Sequence, residues 1–186
     1  MHKLVYHFLF FCCFTLCVQP LVFSQAPNNP LLFDARLVSE NINFEFEVTL
    51  EEAEYAEHFC LIGTIDLAND AYIISPFSKD SFYQNYVLTL PDNEYFEVVG
   101  NIVEFPASSE EVDPYIEQVV KYVRTKTSFT HELNIKKDVD FSVPGIIEFL
   151  VEPSCIPYDV KFVISNQAGK LEIKQLEIYI SEEHKR

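Results

Sequence analysis

Along most of this chain apolar residues fall at every second position, the spacing that turns one face of a strand to a core and the other to water. The pattern is clearest over 42–50, where Ile42, Phe44, Phe46 and Val48 alternate with Asn43, Glu45, Glu47 and Thr49. Over 59–67 it puts Phe59, Leu61, Gly63, Ile65 and Leu67 on one face and Cys60 on the other. Further strands are predicted over 31–38, 71–75, 82–90, 94–106, 115–124, 127–135, 146–151, 159–164 and 171–180, with some helical spacing also present over 115–123. Ala68-Asn69-Asp70, Pro91-Asp92-Asn93 and Gln167-Ala168-Gly169 carry turn chemistry between them. The stretch over 107–114 has no apolar period and reads as a polar loop. Many short strands, four glycines and few helical windows predict an all-β fold, a β-sandwich over 31–180.

The ends read differently. His2 and Lys3 precede an apolar run to Phe23, and Val22 and Ser24 suit a cleavage site, so 1–24 reads as a secretory signal peptide. A retained membrane anchor is the alternative, since the run approaches the ~20 residues that span a bilayer. Pro20 and the polar linker over 25–30 favour cleavage, which places the protein in the periplasm or outside the cell with no membrane span left. A charged tail covers 181–186.

Charge narrows the partners. The formal net charge is −16, and loss of Lys3 with the signal makes it −17. So acidic a surface repels nucleic acid and anionic membrane. The acidic run over 51–57 offers carboxylates to a hard cation but lacks the spaced Asp/Asn/Gly pattern of a calcium loop, so it reads as a solvated face. No metal-spaced His/Cys cluster, phosphate loop or nucleophile motif is present in the sequence, so no cofactor is expected. His58 and His131 read as exposed strand residues. Cys12, Cys13 and Cys17 leave with the signal, so the mature chain keeps Cys60 and Cys155.

Candidate chemistry centres on 144–164. An apolar strand over 146–151 and a second over 159–164 flank a connection in which Pro153 and Pro157, unable to donate to a ladder, mark the corner. Cys155 is thereby set at a hairpin tip. Glu152 and Asp159 flank it with only Lys161 nearby, and negative neighbours disfavour the reactive thiolate.

The order of Gly145, a short apolar strand, Cys155-Ile156-Pro157 and a charged-apolar strand resembles the active-site hairpin of the N-terminal domain of DsbD, the thiol:disulfide interchange protein. Tyr72-Ile73-Ile74-Ser75-Pro76 is similar to that family's aromatic strand beside the cysteines, and Glu97-Val98-Val99-Gly100 to the segment that caps them. The resemblance implies an immunoglobulin-like β-sandwich, with Cys155 as the cysteine that bonds to partners. It implies Tyr72, Glu97, Val98, Val99, Gly100, Pro157 and Tyr158 as cap or partner-binding positions, and a thioredoxin-like or other extracytoplasmic thiol protein as partner. The family's first cysteine is missing, its slot falling near Glu152 or Phe149, and Tyr158 stands where the family has a second proline. A lone thiol cannot release its partner by closing an internal disulfide.

Three readings follow. One is a thiol:disulfide interchange module with altered or lost redox activity, and another is a non-catalytic binding or adaptor sandwich. The third is a structural Cys60–Cys155 disulfide with an unrelated function. If 68–70 turns a hairpin, Cys60 lies on the order of 20 Å from Tyr72 at ~3.3 Å per residue. A disulfide needs Cα atoms within about 7 Å, so Cys60 and Cys155 are expected to be unbridged.

Overall fold

The computed structural model describes residues 43–55, 58–79 and 82–181. The expected signal peptide, the linker, the strand over 31–38 and the tail beyond Ser181 lie outside the described residues, as do Ala56 and Glu57 of the acidic run.

Alternation sets the architecture. In β1 (Phe44–Glu52) the residues Phe44, Phe46 and Val48 are buried while Glu45 and Glu47 are exposed. The same period runs through β2 (His58–Leu67) and β8 (Thr127–Ile135), and β5 (Phe96–Phe105) pairs with β8 to complete a sheet of order β1-β2-β8-β5. A second sheet holds β4 (Val87–Thr89), β9 (Phe141–Val151), β10 (Ile156–Gln167) and β11 (Lys170–Ile180) in the order β11-β10-β9-β4. Both are antiparallel, and no helix occurs among the described residues. Their apolar faces meet in one core. At one end Phe44 packs edge-on against Tyr158 with ring centroids 4.8 Å apart, and at the other Tyr95 stacks on Phe141 at 5.2 Å. The protein is a β-sandwich of two antiparallel sheets.

A third, small sheet of β3 (Ile73–Ile74), β7 (Val119–Val123) and β6 (Ser109–Val112) sits beside the hairpin end with its own core of Ile74, Val120 and Tyr122. Here the alternation fails as a guide. The stretch over 107–114, expected as a loop, contains β6, because that strand is made by pairing with β7 and buries almost nothing of its own. Over 115–118 the expected strand is a turn. Tyr115 and Ile116 donate backbone N–H groups to the Asp113 carboxylate at 2.7 and 3.1 Å, and Glu117 takes a left-handed φ of 53°. Over 82–90 only Val87–Thr89 is strand.

Two connections also differ from the sequence reading. Asn69 and Asp70 do turn the chain, with φ of 55° and 59°, but not into a hairpin. The segment after them crosses to the other sheet, where Tyr72 bridges Glu152, and then joins the small sheet as β3 pairs with β7. The second concerns the prolines. Pro157 lies within β10, paired with Leu150, so the corner is Glu152 to Cys155 alone. Pro144 lies within β9, beyond the three residues that pair with β4, where its missing N–H leaves no sheet partner short.

Candidate functional site

The turn between β9 and β10 is tied down from inside and open at its tip. The Ser154 hydroxyl donates to the Val151 carbonyl at 3.1 Å. Glu152 is 6% exposed. Its N–H donates to the Tyr72 carbonyl at 2.9 Å, and its own carbonyl accepts from the Tyr72 N–H at 3.1 Å. Pro153, Ser154 and Cys155 are exposed, and Cys155 takes a left-handed φ of 52° that carries the chain round. The strand bearing Tyr72 thus flanks the thiol through backbone bonds to Glu152.

The Cys155 thiol donates to Glu152 Oε2, 3.1 Å away. That bond, then burial, then the charge of Glu152 raise its pKa above the ordinary thiol value. The protonated form is the one favoured, and the thiolate is the nucleophile. Of the charges flanking Cys155 in sequence, Glu152 produces this effect. Asp159 sits four residues along, paired with Glu148 and Tyr179, and Lys161 lies 4.8 Å from the Tyr179 ring.

Behind Tyr72 lies a cluster drawn from the small sheet. Tyr72 meets Tyr122 edge-on at 5.0 Å, and the Arg124 guanidinium lies 4.5 Å from the first ring and 4.7 Å from the second. A cation over two aromatic faces is attracted by both. Arg124 also donates Nε and Nη2 to Glu111 at 3.3 Å. Burial first, then the charge of Glu152, raises the Tyr72 hydroxyl pKa, with Arg124 opposing.

Asp113 joins this cluster to the turn at 113–118. Besides the two N–H groups its carboxylate accepts from Tyr122 Oη and from Tyr83 Oη, the latter at 2.9 Å. These donors, the Tyr122 bond foremost, hold the carboxyl down at about 2. Burial and the bond to Asp113 push Tyr83 up to about 12, and Tyr122 is raised for the same reasons.

An acid dependence follows. A carboxylate whose folded pKa is depressed contributes stability fully above its unfolded value, ~3.9, and loses it as pH falls through the folded value. The contribution of Asp113 is therefore expected to fade between about pH 4 and pH 2. Near-ultraviolet circular dichroism of the tyrosines, in a protein with no tryptophan, reports it. Asp113→Asn is expected to lower the signal at pH 6 and to flatten its change over that interval. An unaltered acid profile counts against the assignment.

Of the positions that the resemblance implied, Tyr72, Pro157 and Tyr158 adjoin the hairpin. Tyr158 is only 5% exposed and Pro157 is buried, so both anchor the turn and neither offers a surface to a partner. Glu97, Val98, Val99 and Gly100 are not brought to Cys155. They lie on β5, where Glu97 to Val99 pair with Asn134 to Glu132, next to Phe96, which packs on Phe141 at the start of β9. Cys155 follows the far end of that eleven-residue strand. They therefore cap nothing there.

Cys60 and Cys155 are both free thiols. Cys60 sits mid-strand on the outer face of β2 between Glu51 and Glu132, its pKa raised by burial and then by those two charges. Glu132 Oε1 lies 2.5 Å from His58 Nδ1. His131 corrects an expectation. It shares the inward side of β8 with Phe129 and Leu133, is half-buried beside Tyr86 at 6.1 Å, and is held by burial at about 4.

Tyr83, Asp113, Tyr122 and Arg124 were not singled out in the sequence. They are scattered over 83–124, and the signal that could have found them was Asp113 followed by Pro114, a turn initiator between two aromatic segments. Comparison with family models and with curated proteins finds no match.

Proposed function

We propose that this chain is an extracytoplasmic module, similar to the N-terminal domain of DsbD, that docks a thiol protein through the Cys155 hairpin with its redox activity reduced. The observation that carries the reading is the exposed, left-handed Cys155 hydrogen-bonded to Glu152 and flanked by Tyr72. The strand order supports it. Lettered in chain order, β1, β2, β4, β5, β8, β9 and β10 give A-B-E-D and C-F-G, the arrangement of a constant-type immunoglobulin domain. On that lettering β11 is an addition, and two insertions, β3 between B and C and β6 with β7 between D and E, form the small sheet beside the hairpin.

Chemically, the Cys155 thiolate would attack a partner's disulfide, forming one S–S bond and breaking one, with the leaving thiolate on the partner side. The thiol proton passes to Glu152 or to solvent. Exchange stops there, since Cys60 lies on the outer face of the other sheet. The competing adaptor reading is favoured by the raised thiol pKa and keeps the docking without the covalent step.

The test uses a thioredoxin-like bait that keeps only its nucleophilic cysteine, loaded as a mixed disulfide with a small aromatic thiol. The expected product is a reducible covalent complex with release of the aromatic thiol, lost in Cys155→Ser and kept in Cys60→Ser. It should form faster in Glu152→Gln, where the bond that favours the protonated thiol is weakened. Association without a covalent complex selects the adaptor reading. No association at all overturns both.

A further inference from the structure

Sheet edges are open templates for another strand, and proteins usually guard them with short length, lysines or a covering side chain. This sandwich guards β1 in the last way. The Gln175 side chain accepts from the Val48 N–H at 2.8 Å and donates to the Phe46 carbonyl at 3.0 Å, occupying that edge as a strand would. β3 is two residues long, β4 three and β6 four, and the long edge strand β11 carries Lys170 and Lys174. β5 is different. It runs ten residues, pairs with β8 on one side, and has no strand on the other among the described residues. Along with Glu97 and Asn101 it exposes three apolar side chains: Val98 is 50% exposed, Val103 57% and Phe105 76%. Beside its second half lies a groove of about 320 Å³ lined by Phe77, Ile102, Val103 and Ala107 together with Glu104, Ser108 and Lys121, wide enough for one side chain of an added strand.

Charge states what fits. The forty residues over 81–120, which include β5, carry eight Asp and Glu and no Lys or Arg, half of the net −16. β5 itself carries no lysine, and Lys121, which lines the groove, is paired with Glu110 at 3.7 Å. A second copy of the chain would bring the same negative field against it, whereas a basic strand would be drawn in.

We propose that the free edge of β5 accepts an extended segment of a partner protein in which basic and apolar residues alternate, added as a further strand of the first sheet. Backbone hydrogen bonds to β5 hold it, apolar side chains cover Val103 and Phe105 and enter the groove by Phe77, and basic ones meet the acidic surround. The site is separate from the Cys155 hairpin and does not depend on it.

The probe is a short blocked peptide alternating lysine and valine, with two comparison peptides. One has the same sequence N-methylated at every second amide, and the other has glutamate for lysine. Titrated into the full-length protein, the first is expected to bind, and N-methylation to weaken it about tenfold or more, since several backbone bonds are lost together. The glutamate peptide is not expected to bind. The double substitution Val103→Lys and Phe105→Lys, at exposed positions, should leave the circular dichroism unchanged and abolish binding. Equal binding of the N-methylated peptide overturns the proposal in favour of charge attraction alone, and no binding of the first peptide overturns it outright. A dimer that the double substitution disrupts makes a second copy the occupant. Slow hydrogen exchange, in the free protein, of β5 amides that do not face β8 means that the edge is covered by another segment of this chain, of which 31–38 is the expected strand. Either result sets the partner strand aside.

Discussion

Phe149→Ala is expected to remove about 3–5 kcal/mol of stability, a large part of the ~5–15 kcal/mol that holds a domain of this size together. Phe149 lies on β9 with no exposed surface. Its ring stacks on Phe46 at 5.2 Å, meets Phe44 edge-on at 5.3 Å and approaches Tyr158 at 6.2 Å, so it joins both sheets at the hairpin end. Truncation removes the buried ring area and leaves a cavity that paired strands cannot collapse into. Phe105→Ala, at a ring 76% exposed, is the matched control and should stay within about 0.5 kcal/mol. Urea unfolding followed by tyrosine fluorescence measures both. A Phe149→Ala loss below about 1 kcal/mol would mean that the sheets do not meet over this ring.

Adding a single methyl group is expected to do nearly as much harm. A Cβ on Gly145 would lie 2.3 and 2.6 Å from the ring of Phe162 and 2.8 Å from Leu90 Cδ2, where carbon atoms rest at ~3.5–4.0 Å. Gly145 and Phe162 are register partners on β9 and β10, and Phe162 has no exposed surface, so its ring cannot swing into water. Gly145→Ala is therefore placed at the upper end of overpacking costs, about 3 kcal/mol. Adding Phe162→Leu should return part of that loss, about 1 kcal/mol or more, because contacting residues couple in a double-mutant cycle. Additive losses would show that the ring does not lie over the glycine. Gly145 also opens the motif on which the resemblance to the DsbD domain rests, and its need here is steric, set by Phe162. The same glycine thus supports a fold argument independently of any active site.

The two thiols separate for a reason that strand lengths alone did not contain. An unbridged pair was expected from a hairpin at 68–70, and the thiols are indeed free. The turn exists, yet the chain there changes sheets, carrying Tyr72 to Glu152. Cys60 remains on the outer face of one sheet and Cys155 at the tip of a hairpin in the other. Likewise Glu97 to Gly100 looked like a cap from their order in the chain. Register assigns them to the end of β5 that pairs with Glu132 to Ile135, near Phe141 and away from the thiol.

What the sequence determined by itself was the class of fold and most of its long strands. Residues 44–52, 58–67, 127–135 and 170–180 are strands close to where alternation put them, because a half-buried strand must repeat its apolar residues every second position. The exposed thiol, and the carboxylate that opposes its ionisation, were also legible, since Glu152 and Cys155 are three residues apart on one turn. The small sheet was not. β6 buries too little to leave a pattern, and β3 is two residues long, so only pairing with β7 defines them. Nor could spacing reveal that Asp113 gathers Tyr83 and Tyr122, or that Arg124 lies over Tyr72 and Tyr122. Those contacts join residues far apart along the chain, and the tertiary structure alone decides them: local pattern fixes which face of a strand is apolar, not which strand will lie beside it.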